Sequence, residues 1–297
     1  MRGKFGKNVV LNEGNGHYYE AVAAENLSWF DAWRAAANTN SGVCVSHLAT
    51  ITSQEENDFI ISNFPEAAEN GYWLGGNQLN GGAEPDGGWI WITGETWDYT
   101  NWANGEPNDL FGEDALHFFP AAFGAAYTPG VWNDQNEFTP SDAILGYVVE
   151  YECPAGKVVD RVTGSGHFNL GPEGEEALRT FSFTAHKYEN GVVAGEYQLK
   201  SRSGEVKEHG DVTCLSVSED GTRAWIGGII ERNDPNASIE GSEIVFIVED
   251  NGQGMADSPD KLSLRATFEP GGAAIICNDQ LNFVPLNEIE KGNISIH

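Results

Sequence analysis

Seven side chains that carry carboxylate or carboxamide oxygens fall within the span 106–134, and five of them are candidates for a shared cation site. These five are Glu106, Asn108, Glu113, Asn133 and Asp134. Calcium is a hard cation that takes about six to eight oxygen ligands from such groups and from backbone carbonyls. A cis bond before Pro107 would point both flanking side chains to one side. The pattern predicts a calcium site, and the alternative is a polar loop whose side chains only cap backbone amides.

Patterns typical of catalysis are missing from the sequence. The seven histidines are scattered without the spacing of a zinc site. His47 and His117 are predicted to be core or surface groups, not ligands. The sequence has no nucleophile elbow, phosphate loop or nicotinamide fingerprint. We therefore expect a binding protein and not an enzyme.

The elements that would position the oxygen ligands are mixed helices and strands. A helix is predicted over Leu27–Asn38 with Ser28 as its cap, and a second opens at Thr52 or Ser53, each three residues before a glutamate. From residue 72 onward the pattern is short strands around a loop over 95–114. A structureless loop of that length inside a compact domain is usually functional. Strands are predicted at His17–Val22, His47–Ile51, Tyr72–Gly75, Trp89–Thr93, Ala115–Phe119, Val131–Asn133 and Ile144–Tyr151.

This order of elements and motifs resembles the C-type lectin-like domain over about residues 15–152. The resemblance rests on His47-Leu48-Ala49-Thr50-Ile51, Trp73-Leu74-Gly75-Gly76, the Glu-Pro-Asn loop and Trp132-Asn133-Asp134. It implies an α+β C-type lectin-like fold for residues 1–153. It also implies calcium as the bound ion, held by the five side chains above, with the Asp134 backbone carbonyl as a further ligand.

The same resemblance implies a mode of carbohydrate binding. In sugar-binding members of the family two vicinal hydroxyls bind the calcium and hydrogen-bond to its ligands, here Glu106, Asn108, Glu113 and Asn133. Glu-Pro-Asn accompanies mannose-type sugars with equatorial 3- and 4-hydroxyls, whereas Gln-Pro-Asp accompanies galactose. Trp102 and Trp132 are expected to be core residues and not sugar-stacking ones.

The four cysteines are divided equally between the two halves of the chain, which favours one disulfide in each. Three pairings and free thiols all remain open from the residues alone. The family's usual cysteines are replaced, since alanine stands at 35, 36 and 115 and valine at 149. We expect a displaced bridge between Cys44 and Cys153 and a second between Cys214 and Cys277. The missing family disulfides point to a microbial, bacterial protein.

The second half begins at Cys153-Pro154 and is predicted to be an all-β sandwich-like domain over residues 154–297, with a barrel as the other option. Two alternating runs, Thr180–His186 and Val192–Lys200, flank an Asn190-Gly191 turn and predict a hairpin. The half loosely resembles an uncharacterised β-module at the end of secreted bacterial proteins. Further strands are predicted at Asp211–Val217, Ala224–Glu231, Glu243–Asp250, Ser263–Phe268 and Ala274–Cys277.

The chain's charge restricts its partners. Forty-five acidic and sixteen basic residues give a formal net charge of -29, which disfavours nucleic acid and anionic lipid. No apolar run reaches the roughly 18 residues of a membrane span. Calcium sites of extracellular modules suit a secreted or cell-surface protein whose leader is not in this numbering.

We therefore expect calcium-dependent binding of glycans or glycoconjugates on a surface. The alternative is a structural, adhesive or self-assembling extracellular protein in which calcium only stiffens the loop. In either case the C-terminal domain would be a stalk or would contact another surface protein.

Overall fold

The computed structural model describes residues 5, 8–39, 43–78, 83–124, 128–169, 178–202, 204, 206–234, 239–252 and 258–297. The chain divides into two units, Met1–Cys153 and Pro154–His297. Each unit contains one disulfide bond, Cys44–Cys153 in the first and Cys214–Cys277 in the second. None of the helices in the described ranges is long and apolar enough to span a membrane.

The helices of the first unit follow the predicted spacing. The N-cap of α1 is Ser28, whose Oγ accepts a hydrogen bond from the Asp31 amide at 3.2 Å, and the helix buries its Trp29, Ala32, Trp33 and Ala36 face. Ser53 caps α2 by accepting from the Glu56 amide at 3.2 Å. The Glu56 carboxylate in turn accepts the Thr52 amide at 2.7 Å, so the reciprocal bonds of a capping box run to the residue before the cap. The helices are α1 (Trp29–Ala37), α2 (Gln54–Asn63) and α3 (Pro65–Glu69).

The described strands of the first unit form one eight-stranded sheet. Its strands are β1 (Val10–Leu11), β2 (Tyr18–Ala23), β3 (Val45–Leu48), β4 (Trp73–Asn77), β5 (Ile90–Trp91), β6 (Ala115–Phe118), β7 (Trp132–Gln135) and β8 (Gly146–Glu152). The main order is β1-β2-β8-β4-β6-β7, with β3 on β8 and β5 on β4. The segment 92–114 connects β5 to β6. Because β6 and β7 are antiparallel neighbours, with Leu116 opposite Asp134, the end of this segment lies beside the Asn133-Asp134 pair.

A cluster of tryptophan rings lies beneath the long loop. The ring centroids of Trp91 and Trp97 are 4.3 Å apart, and those of Trp89 and Trp102 are 4.9 Å apart. Trp132 is fully buried, and its indole Nε1 donates to Asn57 Oδ1 at 3.1 Å. The loop is therefore anchored on a rigid aromatic core, and Trp102 and Trp132 belong to that core as predicted.

The second unit is β-rich and its sheet is barrel-like, so the expected sandwich of two packed sheets is not confirmed. Its strands follow the order β13-β12-β11-β10-β9-β17-β15-β14-β16, and β13 also pairs with β14, which closes the ring. Every strand of the ring is hydrogen-bonded to the next, so the described strands of this unit form a single sheet. The strands are β9 (Val158–Asn169), β10 (Leu178–Tyr188), β11 (Val193–Ser201), β12 (Lys207–Val217), β13 (Arg223–Asp234), β14 (Glu243–Glu249), β15 (Lys261–Ser263), β16 (Ala266–Phe268) and β17 (Leu286–Ile296).

One predicted strand of this unit is wrong. Ala274–Cys277 lies in a helix, α4 (Gly272–Asn278). The buried Glu243 carboxylate accepts the Gly271 and Ala273 amides at 3.0 and 2.9 Å, which satisfies the amides at the start of that helix. The structure differs from the predictions in two further ways. Strands β9 and β17 were not predicted, and the strand expected over Ser263–Phe268 is broken at Leu264-Arg265.

Candidate metal-binding loop

The segment 105–113 is a tight turn built around one carboxylate of β7. The Glu106–Pro107 bond is cis. Asp134 Oδ2 accepts the backbone amides of Asn108 and Asp109 at 3.0 and 2.8 Å. Asp109 Oδ1 accepts the Glu113 amide at 3.0 Å, and Glu113 Oε2 accepts the Leu110 amide at 3.2 Å. The loop is thus folded onto the sheet by two carboxylates that the sequence singled out, Asp134 and Glu113, together with Asp109.

The structure brings the five predicted residues together. Asn108 Nδ2 donates to Glu106 Oε2 across Pro107. On β7, Asn133 Nδ2 donates to the Asp134 backbone carbonyl at 2.5 Å and to His117 Nε2 at 3.1 Å. The geometry therefore places two carboxamides and two further carboxylates around Asp134.

Burial, together with the crowding of like charges, raises the pKa values of the carboxyl groups in this cluster. Burial, and next the charge of Asp134, raises the pKa of Glu106. The same two causes raise the pKa of Glu113 to about 7. Burial also raises the pKa of Asp134, against the hydrogen bonds from backbone amides that lower it. Carboxylates held this close favour either protonation or a cation between them.

A hard cation fits the donor set. Asp134 is fully buried, and its Oδ1 has no hydrogen-bond partner among the described residues. Such an uncompensated oxygen costs free energy unless something positive binds to it. The side chains offer only oxygens as metal ligands, without thiolate, which matches calcium better than softer ions.

Three further carboxyl groups that interact electrostatically with this cluster were not predicted from the sequence. Asp109 organises the turn through its bond to Glu113. Burial raises the pKa of Asp114, and the charges of Asp109 and Asp134 raise it further. Burial raises the pKa of Glu84 as well, with added effects from Asp109 and Asp114. The signal was present, because Asp109 and Asp114 each directly follow a predicted ligand and Glu84 also precedes a proline.

A second polar cluster joins β2, α2 and β8 on another part of the first unit. His17, Glu56 and Glu150 place ligand atoms within 4.8 Å of one another. Tyr19 donates to Glu150 Oε1 at 2.9 Å, and Glu150 Oε2 accepts the Thr50 amide at 3.0 Å. Tyr19 also donates to Glu56 Oε1, so the cluster connects strands β2 and β8 to helix α2.

The predicted histidine environments agree with the structure. His47 is buried, and its Nε2 lies 3.2 Å from Glu152 Oε1. His117 is fully buried and packs edge-on against Trp73. Neither is placed as a metal ligand of the loop, although His117 supports Asn133.

Comparison with known proteins identifies the first unit. The model of the lectin C-type domain matches residues 26–144. A lectin from Pleurodeles waltl is 30% identical over 144 residues, covering 46% of this chain and 71% of that protein. Lectin BRA-3 from Megabalanus rosa is 33% identical over 107 residues, covering 36% of this chain and 59% of that protein. Halomucin from Haloquadratum walsbyi is 30% identical over 125 residues, which are 37% of this chain and 1% of that protein.

The solved structure of the C-type lectin CEL-I from Cucumaria echinata aligns with 50% of this chain and 97% of its own, at 20% identity and a TM-score of 0.39. The family model matches residues that all lie within the first unit. Through this unit the chain belongs to the C-type lectin family.

Proposed function

We propose that the first unit binds calcium through Glu106, Asn108, Glu113, Asn133 and Asp134, and uses it to bind mannose-type sugars without chemical turnover. The proposal is supported by the convergence of these side chains on Asp134, whose buried Oδ1 has no hydrogen-bond partner in the part of the chain that the structure describes. The lectin relatives support carbohydrate as the ligand class.

The bound ion would supply a positive centre on which two vicinal hydroxyls could take the place of water. The chain's own residues would then fix the orientation of the sugar. Glu106 can only accept a hydrogen bond when ionised, whereas Asn108 Nδ2 can donate one. Because Asn108 Nδ2 donates a hydrogen bond to Glu106 Oε2, the acceptor and the donor are adjacent. A diol that matches this order satisfies both groups at once.

The protein is proposed to act outside cells, as a secreted or surface-displayed protein. Extracellular calcium suits sites with dissociation constants of roughly 0.1–1 mM. Binding of one sugar through two hydroxyls is expected to be weak, with a dissociation constant of about 1 mM, or about 4 kcal/mol. Useful binding to a glycan-covered surface would therefore require several copies acting together.

Sugar preference tests the proposal directly. By calorimetric titration in millimolar calcium, mannose is expected to bind and galactose to bind at least about tenfold more weakly, equivalent to about 1.4 kcal/mol. Binding should vanish in excess chelator. The double variant Glu106→Gln with Asn108→Asp moves the charge across Pro107, and the preference should shift towards galactose.

Two outcomes would contradict the proposal in different ways. If galactose competes as well as mannose on the unmodified protein, the ordered pair of Glu106 and Asn108 does not select the diol. If calcium raises the melting temperature but no sugar on a glycan array binds, the ion is structural. The adhesive or self-assembling role would then become the better account.

A further inference from the structure

We infer that Leu110 and Phe111 form a contact surface for an apolar group attached to the sugar, so that the ligand is a neutral glycoconjugate with an alkyl, acyl or aromatic substituent beside its diol. This inference rests on the proposed function, because the sugar end of such a ligand is held at Glu106 and Asn108.

The first observation is exposure. Phe111 is 93% exposed and Leu110 is 55% exposed. Single exposed apolar residues are ordinary on protein surfaces, but a phenylalanine that contributes almost nothing to a core is not. Two such residues in succession form an apolar tip on a loop that is otherwise rich in acids.

The second observation is the backbone. Phe111 has a φ of 73°, in the left-handed region that bulky residues rarely adopt. Glycine would adopt this conformation freely, and asparagine more easily than phenylalanine. Phe111 therefore gains little from packing and is unfavourable for the backbone. Folding does not explain its presence, whereas binding an apolar group would.

The position of the tip ties it to the proposed sugar site. Leu110 and Phe111 lie between Asn108 and Glu113, and the Leu110 amide bonds to Glu113 Oε2 at 3.2 Å. Because Phe111 and Glu113 are two positions apart in the chain, their α-carbons lie at most about 7.6 Å from each other. The Gly112 carbonyl accepts from Asn136 Nδ2 at 2.9 Å, which fixes the far side of the turn. A substituent on a sugar bound at the diol site is therefore within reach of the Phe111 ring.

The negative charge of the loop disfavours an anionic ligand at this surface. Asp109 and Asp114 adjoin the proposed ligands, and the sequence has no lysine or arginine between Arg34 and Lys157. A sulfated or carboxylated glycan, or an anionic lipid headgroup, would be repelled. A neutral sugar with a neutral apolar substituent avoids that repulsion and covers the exposed ring.

The test compares methyl α-mannopyranoside with octyl α-mannopyranoside, below its micelle concentration, on the full chain in millimolar calcium. Burying part of the alkyl group against Phe111 should make the octyl glycoside bind about tenfold more tightly. In the Phe111→Asn variant the two glycosides should bind about equally. Binding of calcium and of methyl mannoside should stay unchanged, and the melting temperature should not fall, because asparagine tolerates the left-handed backbone.

The matched control is Leu11→Asn, which makes a similar apolar-to-polar change at an exposed position on β1. The inference is overturned if the octyl preference is absent in the unmodified protein, survives Phe111→Asn, or is lost equally in Leu11→Asn. It is also overturned if Phe111→Asn lowers the melting temperature, or if the protein binds phosphatidylcholine vesicles that carry no sugar. If calcium binds but neither glycoside does, the proposed function itself fails, which is a different result from equal binding of both.

Discussion

Asp134 is the residue on which the candidate site depends. One of its oxygens holds the turn through two backbone amides, and the other is buried without a partner among the described residues. One oxygen of this carboxylate therefore holds the loop, and under the proposed function the other oxygen would bind the cation. A substitution that keeps the first interaction and weakens the second can separate stability from calcium binding.

We predict that Asp134→Asn abolishes calcium binding yet leaves the calcium-free protein as stable as before, or more stable. The asparagine carbonyl can still accept from the loop, and it removes a charge that raises the pKa of Glu106 and Glu113. In the unmodified protein calcium at 100 times its dissociation constant should add about 2.7 kcal/mol to the free energy of unfolding. Tryptophan fluorescence can follow this unfolding, since eight of the nine tryptophans precede residue 154.

Asp98→Asn is the control for that substitution, because Asp98 is exposed in the same long loop and outside the proposed ligand set. It should leave the calcium-induced shift in melting temperature unchanged. A normal calcium shift in Asp134→Asn, or equal losses in both variants, would remove Asp134 from the site.

The positions of the predicted ligands could be inferred from the sequence because they form short motifs on one loop and one strand. Asp109 and Asp114 stand next to predicted ligands in the sequence, but their roles could not be inferred from it, since each role depends on how the turn folds back onto β7. The orphaned Asp134 Oδ1 and the left-handed Phe111 are likewise visible only in three dimensions.

Secondary-structure elements were predictable where local pattern and tertiary contact agree. The N-caps at Ser28 and Ser53 and the Asn190-Gly191 hairpin are local signals. The helix α4 is not, because its start is satisfied by Glu243 from a strand distant in sequence. A short apolar run such as Ala273–Cys277 is compatible with either a strand or a buried helix.

Glycine residues explain why the two strands that complete the barrel were not predicted from the sequence. β9 contains Gly164 and Gly166, and β17 contains Gly292 opposite Gly166. Glycine usually weakens a strand, so the sequence disfavoured both assignments. In the structure a Cβ atom at position 166 would lie 2.3 Å from the Lys291 carbonyl oxygen, so a side chain is excluded there by the neighbouring backbone.

We predict that Gly166→Ala destabilises the second unit by about 1–3 kcal/mol, because the clash is with backbone and not with a flexible side chain. Hydrogen exchange measured by mass spectrometry should then speed up about 5- to 150-fold for slowly exchanging amides of β9 and β17. Ser165→Ala, at an exposed position of the same strand, should leave exchange nearly unchanged. Equal protection in Gly166→Ala and the unmodified chain would mean that the strands at this contact move apart easily.

At the scale of the whole molecule the distribution of charge is uneven. Residues 1–153 contain 22 acidic and four basic side chains, and of these basic residues only Arg34 lies after residue 7. Residues 154–297 contain 23 acidic and 12 basic side chains, so repulsion there is partly offset. Ion pairs such as Arg223–Glu249 and Arg265–Glu208, at 2.6 and 2.8 Å, belong to this second unit. The first unit should therefore depend more on screening by salt.

We predict that raising sodium chloride from 0.05 to 1 M, at saturating calcium, increases the melting temperature of the first unit by about 5 °C. The Debye length falls to about 3 Å at 1 M, so repulsion between surface carboxylates is largely removed. Tryptophan fluorescence reports this unit, and hydrogen exchange of β9–β17 peptides reports the second, where the effect should be smaller. Most of the increase should occur below about 0.5 M, as expected for screening and not for general exclusion of salt from the surface. A flat or falling melting temperature, or a larger gain in the second unit, would show that the carboxylates of the first unit are already neutralised by bound ions or by protons.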